Sequence, residues 1–394
     1  MHSLKEDFLK FQAMTTPNPL ALSVKKAKGV YITSTTGKKY LDFVAGISAC
    51  SLGHLHPKVV SAIRKQTKKY MHVMVYGEFA QEPSVNLCKE LVAILPENQE
   101  SIYLTNSGAE AIEGAIKLAK KATGRSELIG SFKSYHGSTH GALSLLGSEN
   151  QKEGYRPLIP GTRFIRFNNV EDLNQITDRT AAVLLETIQG GAGFILPIEN
   201  YLKKVKERCQ KVGALLILDE IQPGFGRTGL FFGFEHYSVE PDIVVMGKGM
   251  GGGLPVGAFS ASHSLMGLFK DKPKLGHIST FGGNPVIAAA CLATLRELRD
   301  SSIIFQIEKK EALLRHELKH EKIKEIRGKG LMLALIVENP ETANKIIFKC
   351  MDKGLILFWL LWEKNAVRIS PPLTIKKKEI LKGCAIIQEV LNSI

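Results

Sequence analysis

Lys248 stands between two glycines, Gly247 and Gly249, directly after the apolar run 242–246. A lysine at the end of a buried strand is desolvated. That disfavours the ammonium form, lowers the pKa and makes the amine nucleophilic towards an aldehyde. The glycines let the chain turn sharply and leave room beside the amine. Taken alone, Lys248 also fits a side chain that reaches out of a loop to water. Asp219 closes a second apolar run, 214–218. It is either a charge at the mouth of a sheet or a cap for the next helix. After a third run, 101–104, comes Thr105-Asn106-Ser107-Gly108-Ala109-Glu110, followed by Ile112, Ala115, Ile116 and Ala119 on one helical face. A Ser-Gly turn that opens a helix exposes N–H groups at the positive end of the dipole, which suits a phosphate. A plain Ser/Asn cap would read the same way.

The elements that must position these residues follow from pattern. Runs 181–185, 214–218 and 242–246 are uniformly apolar and read as strands covered on both faces. An amphipathic stretch, 198–212, closes at Gly213 as a helix. The alternation is that of an α/β fold with a mainly parallel central sheet between helices. Such sheets bind ligands beyond the carboxyl ends of their strands. A phosphate cradle, a carboxylate and an amine would therefore meet at one mouth. Pyridoxal 5'-phosphate (PLP) needs that set. The helix start anchors its phosphate, Asp219 pairs with the pyridinium nitrogen, and Lys248 forms the Schiff base. Residues 249–253 are glycine-rich, but no Gly-Lys-Ser/Thr closes them as in a nucleotide P-loop.

After about Pro285 the texture changes to charged helices (305–319, 376–391) and strand-like pieces (331–337, 355–361), the signature of a smaller α+β domain. Strand-like 30–33 and 39–43 are expected to pack with it. The division is then an N-terminal segment, 1–45, a large PLP-binding domain, 46–285, and a small domain, 286–394.

The chain has 394 residues and a net charge of +14. Its lysines are spread over helix faces without aromatic interleaving, which reads as a solvated basic surface and not as a nucleic-acid site. The apolar run 355–362 is too short to span a bilayer and reads as a buried strand. No export signal is visible at the N-terminus. Six scattered cysteines without a Cys-x-x-Cys pair fit a reducing cytoplasm. His54 and His56, in Gly-His-Leu-His-Pro, have the look of a metal pair.

Several ordered motifs carry a resemblance. They are Asn106-Ser-Gly-Ala-Glu110, Tyr135-His136-Gly137, Glu186-Thr-Ile-Gln-Gly190, Leu218-Asp-Glu-Ile-Gln222, Gly226-Arg-Thr-Gly229, Lys248-Gly-Met-Gly-Gly-Gly-Leu-Pro255 and Ser279-Thr-Phe-Gly-Gly-Asn-Pro285. From Gly37 through Pro372 the chain resembles the class III aminotransferases, the fold-type-I PLP enzymes of the acetylornithine and ornithine aminotransferase group. The resemblance implies that Lys248 is the Schiff-base lysine and proton shuttle, and that Asp219 pairs with the ring nitrogen. Gln222 sits near the phenolic oxygen and Tyr135 stacks on the ring. Ser107, Gly108 and Ala109 bind the phosphate, and His136 and Glu186 lie at the cofactor. Thr280 completes the phosphate site from a neighbouring subunit, so a homodimer with shared sites is implied. The same resemblance, carried by the motifs from Asn106 to Pro285, implies that His54 and His56 are structural and that no metal is expected.

The chain departs from the family's pattern at three positions. Ser138 stands where acetylornithine enzymes carry an Arg that holds a substrate carboxylate. Gly191 stands where many members carry a Glu that masks a C-terminal Arg, here Arg368, and Thr187 replaces a proline. Arg368 is therefore expected to be a permanent carboxylate clamp, and Gly191→Glu is expected to pair with it. The implied reaction moves an amino group from an ornithine-like donor to a keto acid such as 2-oxoglutarate. Two other readings use the same residues: a different PLP reaction on this fold, aminomutase or decarboxylase, or a catalytically idle PLP-binding protein.

Overall fold

The computed structural model describes residues 3–76 and 78–394. The apolar runs form a seven-stranded sheet in the order Ser101–Thr105, Gly257–Ala261, Ile243–Gly247, Leu215–Asp219, Thr180–Glu186, Glu127–Ser131, Thr162–Ile165. From Ile243–Gly247 outward to Thr162–Ile165 the pairs are parallel. Gly257–Ala261 is antiparallel to both of its neighbours. Ser101–Thr105 therefore points the same way as Ile243–Gly247, and their carboxyl ends share one edge. Every residue of Thr180–Glu186 is buried, as a strand covered on both faces requires.

The helices lie where capping and periodicity put them. Gly108–Thr123 starts at Ser107, whose hydroxyl accepts the N–H of Glu110, and stops at Gly124 in the left-handed conformation. Ile112, Ala115, Ile116 and Ala119 are its buried face, as the spacing predicts. The helix expected over 198–212 is Tyr201–Val212, because Asn200 just before it is left-handed; Gly213 ends it.

Two smaller sheets flank the C-terminal helices. One is antiparallel, in the order Ile323–Lys329, Met332–Val337, Ala366–Ile369, Phe358–Trp359. In the other, Val24–Lys28, Tyr31–Ser34 and Lys39–Asp42 are joined in parallel by Leu355–Ile356. The expectation of one buried strand over 355–362 is corrected here. The run divides between the two sheets, Leu361 is exposed, and Trp362 lies outside any strand. Uniform apolarity hid the change of partner because each half is apolar for its own reason.

Candidate active site

At the carboxyl edge of the large sheet lies a cavity of about 980 Å³. Each strand that ends there delivers a residue from its last position or the loop beyond. Ser101–Thr105 leads into Asn106, Ser107, Gly108 and Ala109, and Glu127–Ser131 leads into Tyr135 and His136. Thr180–Glu186 and Leu215–Asp219 end on Glu186 and Asp219, which are partners in register and so project to the same face. Gln222 follows Asp219, and Ile243–Gly247 leads into Lys248. Arg368, from Ala366–Ile369, closes the far wall. Gly257 makes the crossing possible: a Cβ there would lie 2.0 Å from the carbonyl oxygen of Ser107.

Asp219 is buried. Its Oδ2 lies 2.8 Å from His136 Nδ1, and its Oδ1 accepts the N–H of Ile221 at 2.9 Å. Glu186 accepts from the N–H groups of Gly190 at 2.9 Å and Tyr135 at 3.1 Å, and burial pushes its carboxyl up to about 7. Behind them, on the opposite face, Thr187 donates to the buried Glu220, which also accepts two backbone N–H groups, from Gly233 and Phe234. A proline at 187 would lack that hydroxyl. Burial first, and the Arg368 charge second, bring the Lys248 amine down to about 8; Asp219 and Glu186 oppose them.

Arg368 is buried over the ring of Phe194, 5.3 Å from its centroid, and its Nη1 has no partner. Burial lowers it to about 10, which still leaves it cationic at neutral pH. Gln222 Nε2 and His136 Nε2 are likewise buried without partners. Buried polar atoms are ordinarily paired, so these three point to a polar ligand. The set fits PLP: an amine for its aldehyde, an acidic pair for its ring nitrogen, a free amide N–H for an oxygen, and a helix start for its phosphate.

Of the residues expected at the site, Ser107, Gly108, Ala109, Tyr135, His136, Glu186, Asp219, Gln222, Lys248 and Arg368 come together around this one cavity, as does Ser138. Thr280 does not line it and is exposed. His54 pairs with Asp42 at 2.8 Å, whereas His56 faces Glu297 at 3.8 Å, so the two histidines serve different carboxylates. Sequence reasoning missed the wall formed by Phe358, Trp359 and Leu361, and it missed Ile47. The first was hidden in an apolar run read as core. The second sits in a backbone conformation that no local signal announces.

The family described as Aminotransferase class-III matches residues 12–391. An acetylornithine aminotransferase of Caldanaerobacter subterraneus subsp. tengcongensis is 39% identical over 97% of both chains. A LysW-aminoadipate semialdehyde/glutamate semialdehyde transaminase of Pyrococcus furiosus is 39% identical over 95% of this chain and 97% of its own. Among solved structures, an ornithine aminotransferase from Toxoplasma gondii with PLP at its active site superposes with a TM-score of 0.91 at 29% identity, covering 99% of this chain and 94% of that one. The chain belongs to the class-III aminotransferases and is a PLP-dependent transaminase on the PLP-transferase fold.

Proposed function

We propose that this class-III aminotransferase takes the terminal amino group of an ornithine-like donor and passes it to a keto acid such as 2-oxoglutarate, with its cofactor held on Lys248. The observation that carries the reading is the half-buried Lys248, its amine brought down to about 8, in one cavity with the Asp219–His136 pair and an Arg368 whose Nη1 is free. Relatives of equal identity are named for different substrates, so the donor rests on the chemistry of the pocket and on the named acetylornithine and ornithine enzymes.

The bound cofactor supplies an electron sink that stabilises the carbanion left when a C–H bond beside the amino group breaks. The chain supplies the rest. Lys248 would hold the cofactor by its aldehyde, and its Nζ is the group placed to move the proton. Asp219 would keep a proton on the ring nitrogen, and His136 orients Asp219 through Nδ1. Ser107, Gly108 and Ala109 hold the phosphate at the start of Gly108–Thr123. Tyr135 would cover the ring face and Gln222 Nε2, unpartnered in the cavity, would donate to its oxygen, while Glu186 fixes the loop that carries Tyr135. Arg368 binds the carboxylate of the keto acid with its open fork.

We further propose a homodimer in which Thr280 serves the neighbouring chain's phosphate site. Supporting it, Met71, Met74, Phe79, Leu275, Ile278 and Phe281 are all exposed in two segments that touch through His72 and Phe281, whose rings lie 4.8 Å apart. Exposed apolar surface of this kind marks an interface. All six cysteines are free, which suits the cytoplasm. Among the described residues, no helix is long and apolar enough to cross a membrane.

The test is a half-reaction. Enzyme mixed with ornithine alone should release one equivalent of a carbonyl product and change the absorbance of its cofactor. 2-Oxoglutarate should reverse that change, and Arg368→Leu should raise its KM. Failure with ornithine but success with another amine would overturn the donor and leave the reaction standing.

A further inference from the structure

Four consecutive residues at the edge of the cavity have positive φ: Ala45 (50°), Gly46 (60°), Ile47 (60°) and Ser48 (67°). One glycine accounts for itself. Three residues with a Cβ do not, and a β-branched Ile is the most crowded of all in a left-handed turn. Such conformations persist only where surrounding bonds over-determine them, and they gather at functional sites.

The bonds are visible. Asp42, buried at the end of Lys39–Asp42, accepts the N–H groups of Val44 at 2.8 Å and Ala45 at 2.9 Å with Oδ1. Its Oδ2 lies 2.8 Å from His54 Nε2. That bond is the first cause holding His54 up at about 10, so the pair is ionic at neutral pH. His54 is itself fixed by reciprocal backbone bonds with Gly29. On the other side, Ser370 donates its N–H to Phe43 and its hydroxyl to Val44, two residues beyond Arg368. The turn also packs on the residue after Lys248, since a Cβ on Gly249 would lie 3.6 Å from the Ser48 carbonyl oxygen. Ile47 and Ala49 line the cavity.

We infer that Asp42 and His54 are positioning residues for the substrate pocket: their ion pair clamps Ala45–Ser48 in a strained left-handed turn that holds Ile47 as a wall of the cavity. This deepens the aminotransferase reading of the cavity and rests on it. Neither residue touches the reacting atoms. Their effect reaches the substrate through Ile47, so they act on substrate binding and not on cofactor capture.

Holoenzymes carrying Asp42→Ala, Asp42→Asn, Ile47→Ala and the Asp42→Ala/Ile47→Ala pair test this. Asp42→Ala should speed amide exchange across 44–50 and raise the KM for ornithine about tenfold, with kcat and cofactor affinity within about twofold of wild type. Asp42→Asn keeps an oxygen for the two N–H groups but loses the ion pair with His54, so it should recover only part of the loss. The double variant should be no worse than Ile47→Ala, because both changes remove the same wall. Ile47→Gly should melt higher than Ile47→Ala, since glycine relieves the turn. If Asp42→Ala does not fold, His54→Gln, which leaves both Asp42 caps in place, takes its part in the same comparisons. Unchanged exchange at 44–50, effects that multiply in the double variant, or Ile47→Gly melting below Ile47→Ala would each overturn the inference. If wild type does not turn over ornithine, the donor reading fails by itself, and the exchange and melting comparisons still decide this one.

Discussion

The indole of Trp362 occupies the space that a side chain at position 191 would need. A Cβ on Gly191 would lie 2.8 Å from Trp362 Nε1 and 2.9 Å from its Cδ1, and the backbone N–H of Trp362 donates to the Gly191 carbonyl at 2.9 Å. The loop after Thr180–Glu186 is thus latched to the segment that carries Leu361 and Trp359, whose carbonyl meets Arg368 Nε at 3.4 Å. The indole fills the place of a side chain at 191, so no carboxylate from that position masks Arg368.

The expected pairing of Gly191→Glu with Arg368 therefore carries a packing cost. The substitution forces Trp362 to move, and overpacking of this kind destabilises by about 1–3 kcal/mol. Gly191→Glu should therefore lower the melting temperature, and Gly191→Glu/Trp362→Ala should restore part of it. Only the double variant should lose affinity for dicarboxylic keto acids. Equal melting of wild type and Gly191→Glu in a calorimeter would show that the latch yields freely.

Lys248→Ala should give a folded protein that holds no covalent cofactor. Borohydride reduction of wild type followed by peptide mapping should find the pyridoxyl group on Lys248, and a label on another lysine would refute the assignment. The pH dependence follows from burial. Only the neutral amine attacks, and Lys248 is brought down to about 8. Cofactor capture by apo-enzyme should rise roughly tenfold per pH unit below that value and level off above it. An unburied lysine would go on accelerating towards pH 10.

Asp219→Asn should keep the fold and bind cofactor, because the amide still accepts the N–H of Ile221 and still meets His136. It should lose activity by roughly a thousandfold, the scale seen when one preorganised electrostatic partner is removed. Half-reaction rates measured in stopped flow, where binding and chemistry separate, check this. A variant within about tenfold of wild type would mean that the ring nitrogen needs no carboxylate here.

Mixing inactive Lys248→Ala and Thr280→Ala subunits should regenerate activity if Thr280 acts across a subunit boundary. One of the two sites in each hybrid then has both residues intact. Activity no higher than that of the parents, after subunit exchange is verified by mass, would place Thr280 outside the neighbouring site.

Much of this protein was legible from its sequence because two signals are local. Apolar runs placed four strands of the large sheet, Ser101–Thr105, Thr180–Glu186, Leu215–Asp219 and Ile243–Gly247, to within a residue, since a strand covered on both faces is apolar throughout. Glu127–Ser131, Thr162–Ile165 and Gly257–Ala261 escaped the reading because they are short and mixed with Gly, Ser and polar residues. The residues ending those runs, Glu186, Asp219 and Lys248, fell at the carboxyl edge because strand direction and ligand position are linked in parallel sheets. The tertiary structure alone decided the rest. That 355–362 divides between two sheets depends on which distant strand each half meets, Lys39–Asp42 or Ala366–Ile369. That Gly191 lacks a side chain because of Trp362, 171 positions along the chain, is a matter of packing at close range. The left-handed turn at Ala45–Ser48 runs against the intrinsic preference of Ile47 and is held by Asp42, His54 and Ser370. A pattern along the chain reports what each residue prefers; only the folded contacts decide where that preference is overruled.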